Sequence, residues 1–302
     1  MSRDTEGIAE SPQQRAIRHV AASARGTALD RGLRVTLNFH PDRVVASQQI
    51  LAKMADDGVY LSQFATGVGN GGLTAYPGGD RWRWEHRIFA GAYDRVTATE
   101  RPVYGALNFR GTPHGGAPRF GSSFFRLTAE TLARTTFCYP DSSTEPTDFA
   151  VAEHFSLIEL AEAGGLDVLD GHIEAHVHGP VRFDRDVEAL VLDPSYRDTS
   201  VAEAATWLRC PIEWHPGFRL SVDQLRRHPT FRGPRYVELG ARIAVDGHLD
   251  PRIIGEAART GRHDPGDLKK VWHYLARFGQ VGQESTATAG CTPSESVDGQ
   301  SK

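Results

Sequence analysis

Six times between residues 34 and 192 the chain returns to a short β-branched or aromatic run: 34–39 (RVTLNF), 103–108, 121–127, 135–139, 172–178 (HIEAHVH) and 187–192. Runs of this length, bounded by Gly, Pro, Asn and Asp, read as strands, in which side chains switch face at every residue. Helical patterns cover 11–30, 42–55, 84–95 and 148–163, then 200–209, 221–228, 235–245, 251–260 and 265–278. Helix and strand do not alternate regularly. Strands gathered in the middle and helices at the C-terminal end predict an α+β fold with a central, mostly antiparallel sheet, flanking helices and a helical C-terminal portion.

Local signals set the borders. Ser11 and Pro12 suit a helix cap and first turn, and Asp42, just after the strand ending at His40-Pro41, is placed to cap the next helix. A strand that passes to a helix N-terminus this quickly points backbone donors outward, where anions bind. Residues 1–10 and 281–302 are polar and poor in large apolar side chains, so disordered tails are expected around one domain at 11–280.

Charge narrows the partners. Lys plus Arg number 34 and Asp plus Glu 38, a net charge of −4, which gives no bulk positive field for generic nucleic-acid binding. No apolar run approaches the roughly 18 residues of a membrane span, and MSRDTEGIAESPQQR lacks the apolar stretch of an export signal, so a cytoplasmic protein without a membrane partner is expected. Cys138, Cys210 and Cys291 are odd in number and far apart, which suits neither a disulfide framework nor a zinc knuckle.

The segment His172–His178 carries the most pointed chemistry. In a strand, Glu174, His176 and His178 share one face at about 7 Å per step while Ile173, Ala175 and Val177 face the core. A carboxylate beside imidazoles suits acid/base work or a shared metal, and an exposed polar strand face is the plain alternative. His40 and Arg43 stand at a strand end, where Arg is suited to clamp a diphosphate. The glycine-rich stretch 62–81 reads as a surface loop. Within it Thr66, Gly67, Asn70 and Gly71 form a weak phosphate-loop candidate, without the Lys-Ser/Thr ending of a P-loop, and Arg81 follows closely. Ser122 and Ser123 open an aromatic strand with no GxSxG elbow around them, so they are read as orienting hydroxyls rather than nucleophiles.

The succession NFHPDR, SQFATGVGNGG, YPGGDRWRWE, RPVYGALN, PRFGSSFF, TTFCYPDSS, IEAHVHGPV and DVEALVLDPS resembles a bacterial family of domains of unknown function, family 3626, over about residues 15–260. More loosely, the order of polar positions resembles the ADP-ribosyltransferase fold, which has an Arg or His on an early strand, a Ser or Tyr on a middle one and a catalytic Glu on a late one. That resemblance implies NAD as substrate, with Glu174, Ser122 and His178 catalytic and His40, Arg43, Thr66, Gly67, Asn70, Gly71, Arg81 and Ser123 around the nucleotide. No metal is expected on this reading, and the partners are a nucleotide-like small molecule and a protein acceptor. Two other readings stay open: a metal-dependent hydrolase using His40, Asp42, His176 and His178, and a non-catalytic nucleotide- or protein-binding module.

Overall fold

Eight strands form the central sheet of this computed structural model, which describes residues 10–282 apart from 46 and 68–72. In chain order they are β1 (Val35–Phe39), β2 (Val103–Leu107), β3 (Ser123–Leu127), β4 (Thr135–Tyr139), β5 (Asp148–Val151), β6 (Ile173–Val177), β7 (Val187–Leu192) and β8 (Ile212–Trp214). Across the sheet the order is β8-β7-β3-β1-β2-β6-β4-β5. Among the described strands only β7 and β8 pair in parallel. The α+β architecture expected from the strand runs is therefore the one observed.

Among the described residues ten α-helices surround the sheet: α1 (Pro12–Ala21), α2 (Ile50–Asp57), α3 (Gln63–Thr66), α4 (Asp80–Ile88), α5 (Leu157–Ala163), α6 (Ser200–Ala205), α7 (Val222–Arg226), α8 (Pro234–Ile243), α9 (Pro251–Arg259) and α10 (Pro265–Phe278). None among the described residues is long and apolar enough to cross a membrane.

One sheet face carries Leu37, Phe39, Phe125, Ile173, Ala175 and Val177, buried in the largest apolar cluster. A second cluster joins the C-terminal helices through Leu225, Val271 and Trp272. The opposite sheet face is partly polar, and Trp84, Phe89 and Tyr93 cover it together with α1. Both faces are thus covered, so β6 is buried at every residue and its polar side chains face protein rather than bulk water. The α10 indole seals the junction, donating from Nε1 to the carbonyls of Pro118 and Arg119, each at 3.1 Å.

Several borders differ from the sequence pattern. Ser11 does cap α1, in a capping box with Gln14, but the helix stops at Ala21 because Thr27 and Leu29 bond to the backbone of Phe155 and Ala152. Asp42 caps nothing. A short hairpin, Val44–Val45 with Gln48–Gln49, intervenes before α2, and buried Asp42 pairs with Arg259 at 3.2 Å. The expected helix 84–95 begins earlier, at Asp80, and ends where Ala90 and Gly91 take positive φ. The expected helix 148–163 is split into β5 and α5, and β8 is a strand that the pattern did not show.

Candidate functional site

A cavity of about 130 Å³ opens where β1 and β2 part. These strands share only the register pairs Val35 with Leu107 and Thr36 with Ala106. Beyond that point Asn38 and Phe39 on one strand and Val103 and Tyr104 on the other line the opening, and α2 and α3 close its side. One water needs roughly 10–15 Å³ on this measure, so there is room for part of a small ligand. The charged groups on its walls are Arg43, Lys53, Arg81, Asp57 and Glu174, with the His40 imidazole beside them.

Register brings Glu174 to this wall. It stands opposite Ala106 on β2 and Cys138 on β4, and the small Ala106 side chain leaves the carboxylate open toward the cavity. On the protein side, Oε2 accepts from Ser142 Oγ at 3.0 Å, and Ser142 in turn accepts from Arg81 at 2.6 Å. Oε1 lies 3.1 Å from His176 Nε2 and 3.7 Å from the Arg81 guanidinium. Burial pushes the carboxyl up, but the His176 hydrogen bond, Arg81 and Ser142 outweigh it and hold Glu174 down at about 2. It is an ionised carboxylate at neutral pH.

Behind Glu174 runs a buried chain of hydrogen bonds: His176 Nδ1 to Thr136 Oγ1 at 3.1 Å, Thr136 Oγ1 to His178 Nε2 at 3.0 Å, and His178 Nδ1 to Tyr93 Oη at 2.6 Å. Burial lowers both histidines, so both rings are neutral. A carboxylate only accepts, which places the His176 proton on Nε2. His176 Nδ1 must then accept from the threonine hydroxyl, His178 Nε2 must donate to that oxygen, and His178 Nδ1 accepts from Tyr93. One end fixes every proton in the chain, and the chain holds the His176 donor toward Glu174.

Arg81 rests on the Tyr104 ring, 4.1 Å from its centroid. The Tyr104 hydroxyl donates to Glu85 Oε1 at 2.8 Å, and Glu85 Oε2 pairs with Arg101 at 2.5 Å, with Glu85 fully buried. At the other end of the cavity, His40 stands edge-on to Trp272 at 4.8 Å, and burial, then Arg43 and Lys269, lower it to about 3. Its ring is neutral. Among the described residues nothing hydrogen-bonds or ion-pairs with the Arg43 guanidinium, and the neighbouring acid Asp42 is occupied by Arg259.

Of the residues singled out from sequence, the cavity gathers Glu174, His40, Arg43, Thr66 and Arg81. Gly67 ends α3 in the left-handed conformation, at φ 63, beside Thr66. Asn70 and Gly71 lie outside the described residues. Ser122 and Ser123 belong elsewhere. β3 stands three strand spacings from β6, about 14 Å, and Ser122 Oγ meets Tyr196 Oη at 3.4 Å while Ser123 Oγ accepts from Asp193 N at 3.1 Å. Ser142, from the turn after β4, orients Glu174 in their place. His178 shares the expected face but does not line the cavity, and its part is in the chain behind Glu174. The sequence does not single out Tyr104, whereas Glu85, an acid four residues after Arg81 in a helical stretch, shares a face with that arginine.

The metal set His40, Asp42, His176 and His178 does not assemble. Among the described residues, the three-ligand group is Cys138, Glu174 and His176, with donor atoms within 4.8 Å of one another. Burial, and then Glu174 and Asp141, push the Cys138 thiol up, and Arg81 beside Glu174 opposes a further cation. Elemental analysis of purified protein is expected to find less than about a tenth of an equivalent of any transition metal, since true sites hold metal tightly. A near-stoichiometric content removed together with Cys138→Ala would contradict this.

No curated protein matches the chain. A family model described as "Protein of unknown function (DUF3626)" matches residues 34–162 and 149–278. These two overlapping matches take in the whole sheet, every described wall of the cavity and the C-terminal helices, and the chain belongs to the DUF3626 family.

Proposed function

We propose that the cavity binds a nucleotide carrying a ribose linked to a cationic base, with NAD as the reference compound, and breaks that glycosidic bond in the manner of an ADP-ribosyltransferase or glycohydrolase. The observation that carries this reading is the pairing of charges on one cavity: an ionised carboxylate, Glu174, and a guanidinium, Arg43, with which no described residue hydrogen-bonds or ion-pairs. An unpaired Arg beside a cavity calls for an anion, and diphosphate fits its fork.

In the reaction the bond between the ribose anomeric carbon and the nicotinamide nitrogen breaks, and its electron pair leaves with nicotinamide, which departs neutral and needs no proton. Positive charge grows on the ribose ring. Glu174 stabilises it electrostatically, while its free lone pairs accept from a ribose hydroxyl. A carboxyl held at about 2 is too weak a base to activate water at neutral pH, so its role is electrostatic. Water or an acceptor nucleophile then bonds to the anomeric carbon and gives up its proton to solvent.

Calorimetric titration of NAD tests the binding half. Arg43→Met is expected to weaken affinity at least about tenfold, the equivalent of 1.4 kcal/mol. Equal affinity in the two proteins, or none in the wild type at millimolar NAD, would overturn the assignment. Binding without turnover would favour a nucleotide-binding module.

A further inference from the structure

Each described acid at the cavity already has a cation of its own. Glu174 faces Arg81 at 3.7 Å, Asp57 pairs with Lys53 at 3.1 Å, and Asp42, next in the chain to Arg43, pairs with Arg259 at 3.2 Å. Among the described residues this leaves Arg43 as the wall cation without a counter-charge, so its end of the open cavity is positive. The Arg43 backbone is pinned there, because its carbonyl accepts from Ile50 N at 2.9 Å across the hairpin that leads into α2.

A second donor serves the same end. α2 stops at Gly58, whose φ of 68 lies in the left-handed region, and the chain turns into Val59–Tyr60, which pairs with Val181–Arg182. That pairing fixes the backbone of Tyr60, and Phe125 on β3, edge-on with ring centres 5.8 Å apart, fixes its ring. Tyr60 lines the cavity, and its hydroxyl and the Arg43 guanidinium lie in each other's field. No described residue hydrogen-bonds to that hydroxyl, and unlike the Tyr139 hydroxyl it is not sealed from the open space. Burial pushes the phenol up to about 12, with Arg43 opposing, so at neutral pH it keeps its proton and serves as a donor.

We infer that Tyr60 is the second anchor of the anion subsite: its O–H and the Arg43 N–H groups grip one phosphoryl group, which makes diphosphate-bearing ribosides, and not phosphate-free ones, the substrate class. The inference deepens the nucleotide reading and rests on its assignment of Arg43 to the diphosphate. One cation beside one neutral donor matches the single charge on each phosphoryl group of a diphosphate bridge, whereas a terminal phosphate carries about −1.5 to −2 at pH 7.

Calorimetric titration with ADP-ribose, which carries the diphosphate but no scissile base, tests the subsite. Tyr60→Phe is expected to bind about tenfold more weakly than wild type, as for a lost hydrogen bond to a charged group. Its melting temperature should stay within about 1 °C of wild type, since the hydroxyl has no protein partner to lose, and a purely structural tyrosine would not behave so. In the Arg43→Met background the same change should cost less than about threefold, because the two donors share one phosphoryl group. Nicotinamide riboside, which lacks phosphate, should bind wild type at least about tenfold more weakly than NAD. Equal ADP-ribose affinity in wild type and Tyr60→Phe, no binding by wild type at millimolar ADP-ribose, or nicotinamide riboside bound as tightly as NAD would each overturn the inference. Tyr60-dependent ADP-ribose binding in a protein that releases no nicotinamide would uphold the subsite and remove only the glycosidic-bond reading.

Discussion

At pH 8, where Glu85 is ionised, Glu85→Ala is expected to remove about 3–5 kcal/mol of stability, because it leaves a buried cation without its counter-charge. For a chain of this size that lowers the melting temperature by on the order of 10 °C. Arg101 is 5% exposed, and its other terminal nitrogen donates to the Tyr93 carbonyl at 2.8 Å, so it cannot swing out to water without breaking that bond as well. The substitution also strips the Tyr104 hydroxyl of its acceptor, beneath the ring on which Arg81 rests. Glu85→Gln keeps an acceptor for Tyr104 and should cost less. The same carboxyl gives a pH signature. Burial pushes Glu85 from 4.5 up to about 7 despite Arg101, so the fold prefers its protonated form. Its contribution to stability is full below 4.5, falls as pH rises through about 7 and is level above. Denaturant unfolding at pH 5 and pH 8 should show a loss in wild type that is reduced in Glu85→Gln. Identical losses in the two proteins would contradict the assignment.

The sheet was legible wherever short runs were β-branched or alternating, and all six runs between 34 and 192 contain strands of the central sheet. The two strands missed are edge strands. Asp148–Val151 runs on toward a true helix and so borrows its pattern, and Ile212–Trp214 has only three residues. Alternation also identified the face of β6 that carries Glu174, because a period of two is local information. The neighbours of that face are not local. Ser122 and Ser142 are both hydroxyls near strand ends, and only the strand order, with β3 beyond β1 and β4 beside β6, decides which of them reaches Glu174. Arg81 was placed near a nucleotide from its position after a glycine-rich stretch, yet its hold on the site comes from Tyr104 and Ser142, both supplied by other elements. Asp42 shows the opposite failure. Its local context is that of a helix cap, while its actual partner, Arg259, lies 217 residues away.

Nicotinamide release from NAD by wild type and by Glu174→Gln tests the central claim most directly. The amide is close in shape to the carboxylate, keeps an oxygen for the His176 donor and can turn its N–H to the Ser142 hydroxyl oxygen, so the variant should fold and still bind NAD. What it lacks is the negative charge facing the ribose ring as the glycosidic bond breaks. Removing one such group costs on the order of 10²–10³ in turnover, and a fall of that size in kcat with KM little changed marks an interaction made in the transition state. The account predicts release by wild type well above the buffer rate and at least about a hundredfold slower release by Glu174→Gln. Wild-type and variant rates that are equal, whether both measurable or both at the buffer rate, would contradict it.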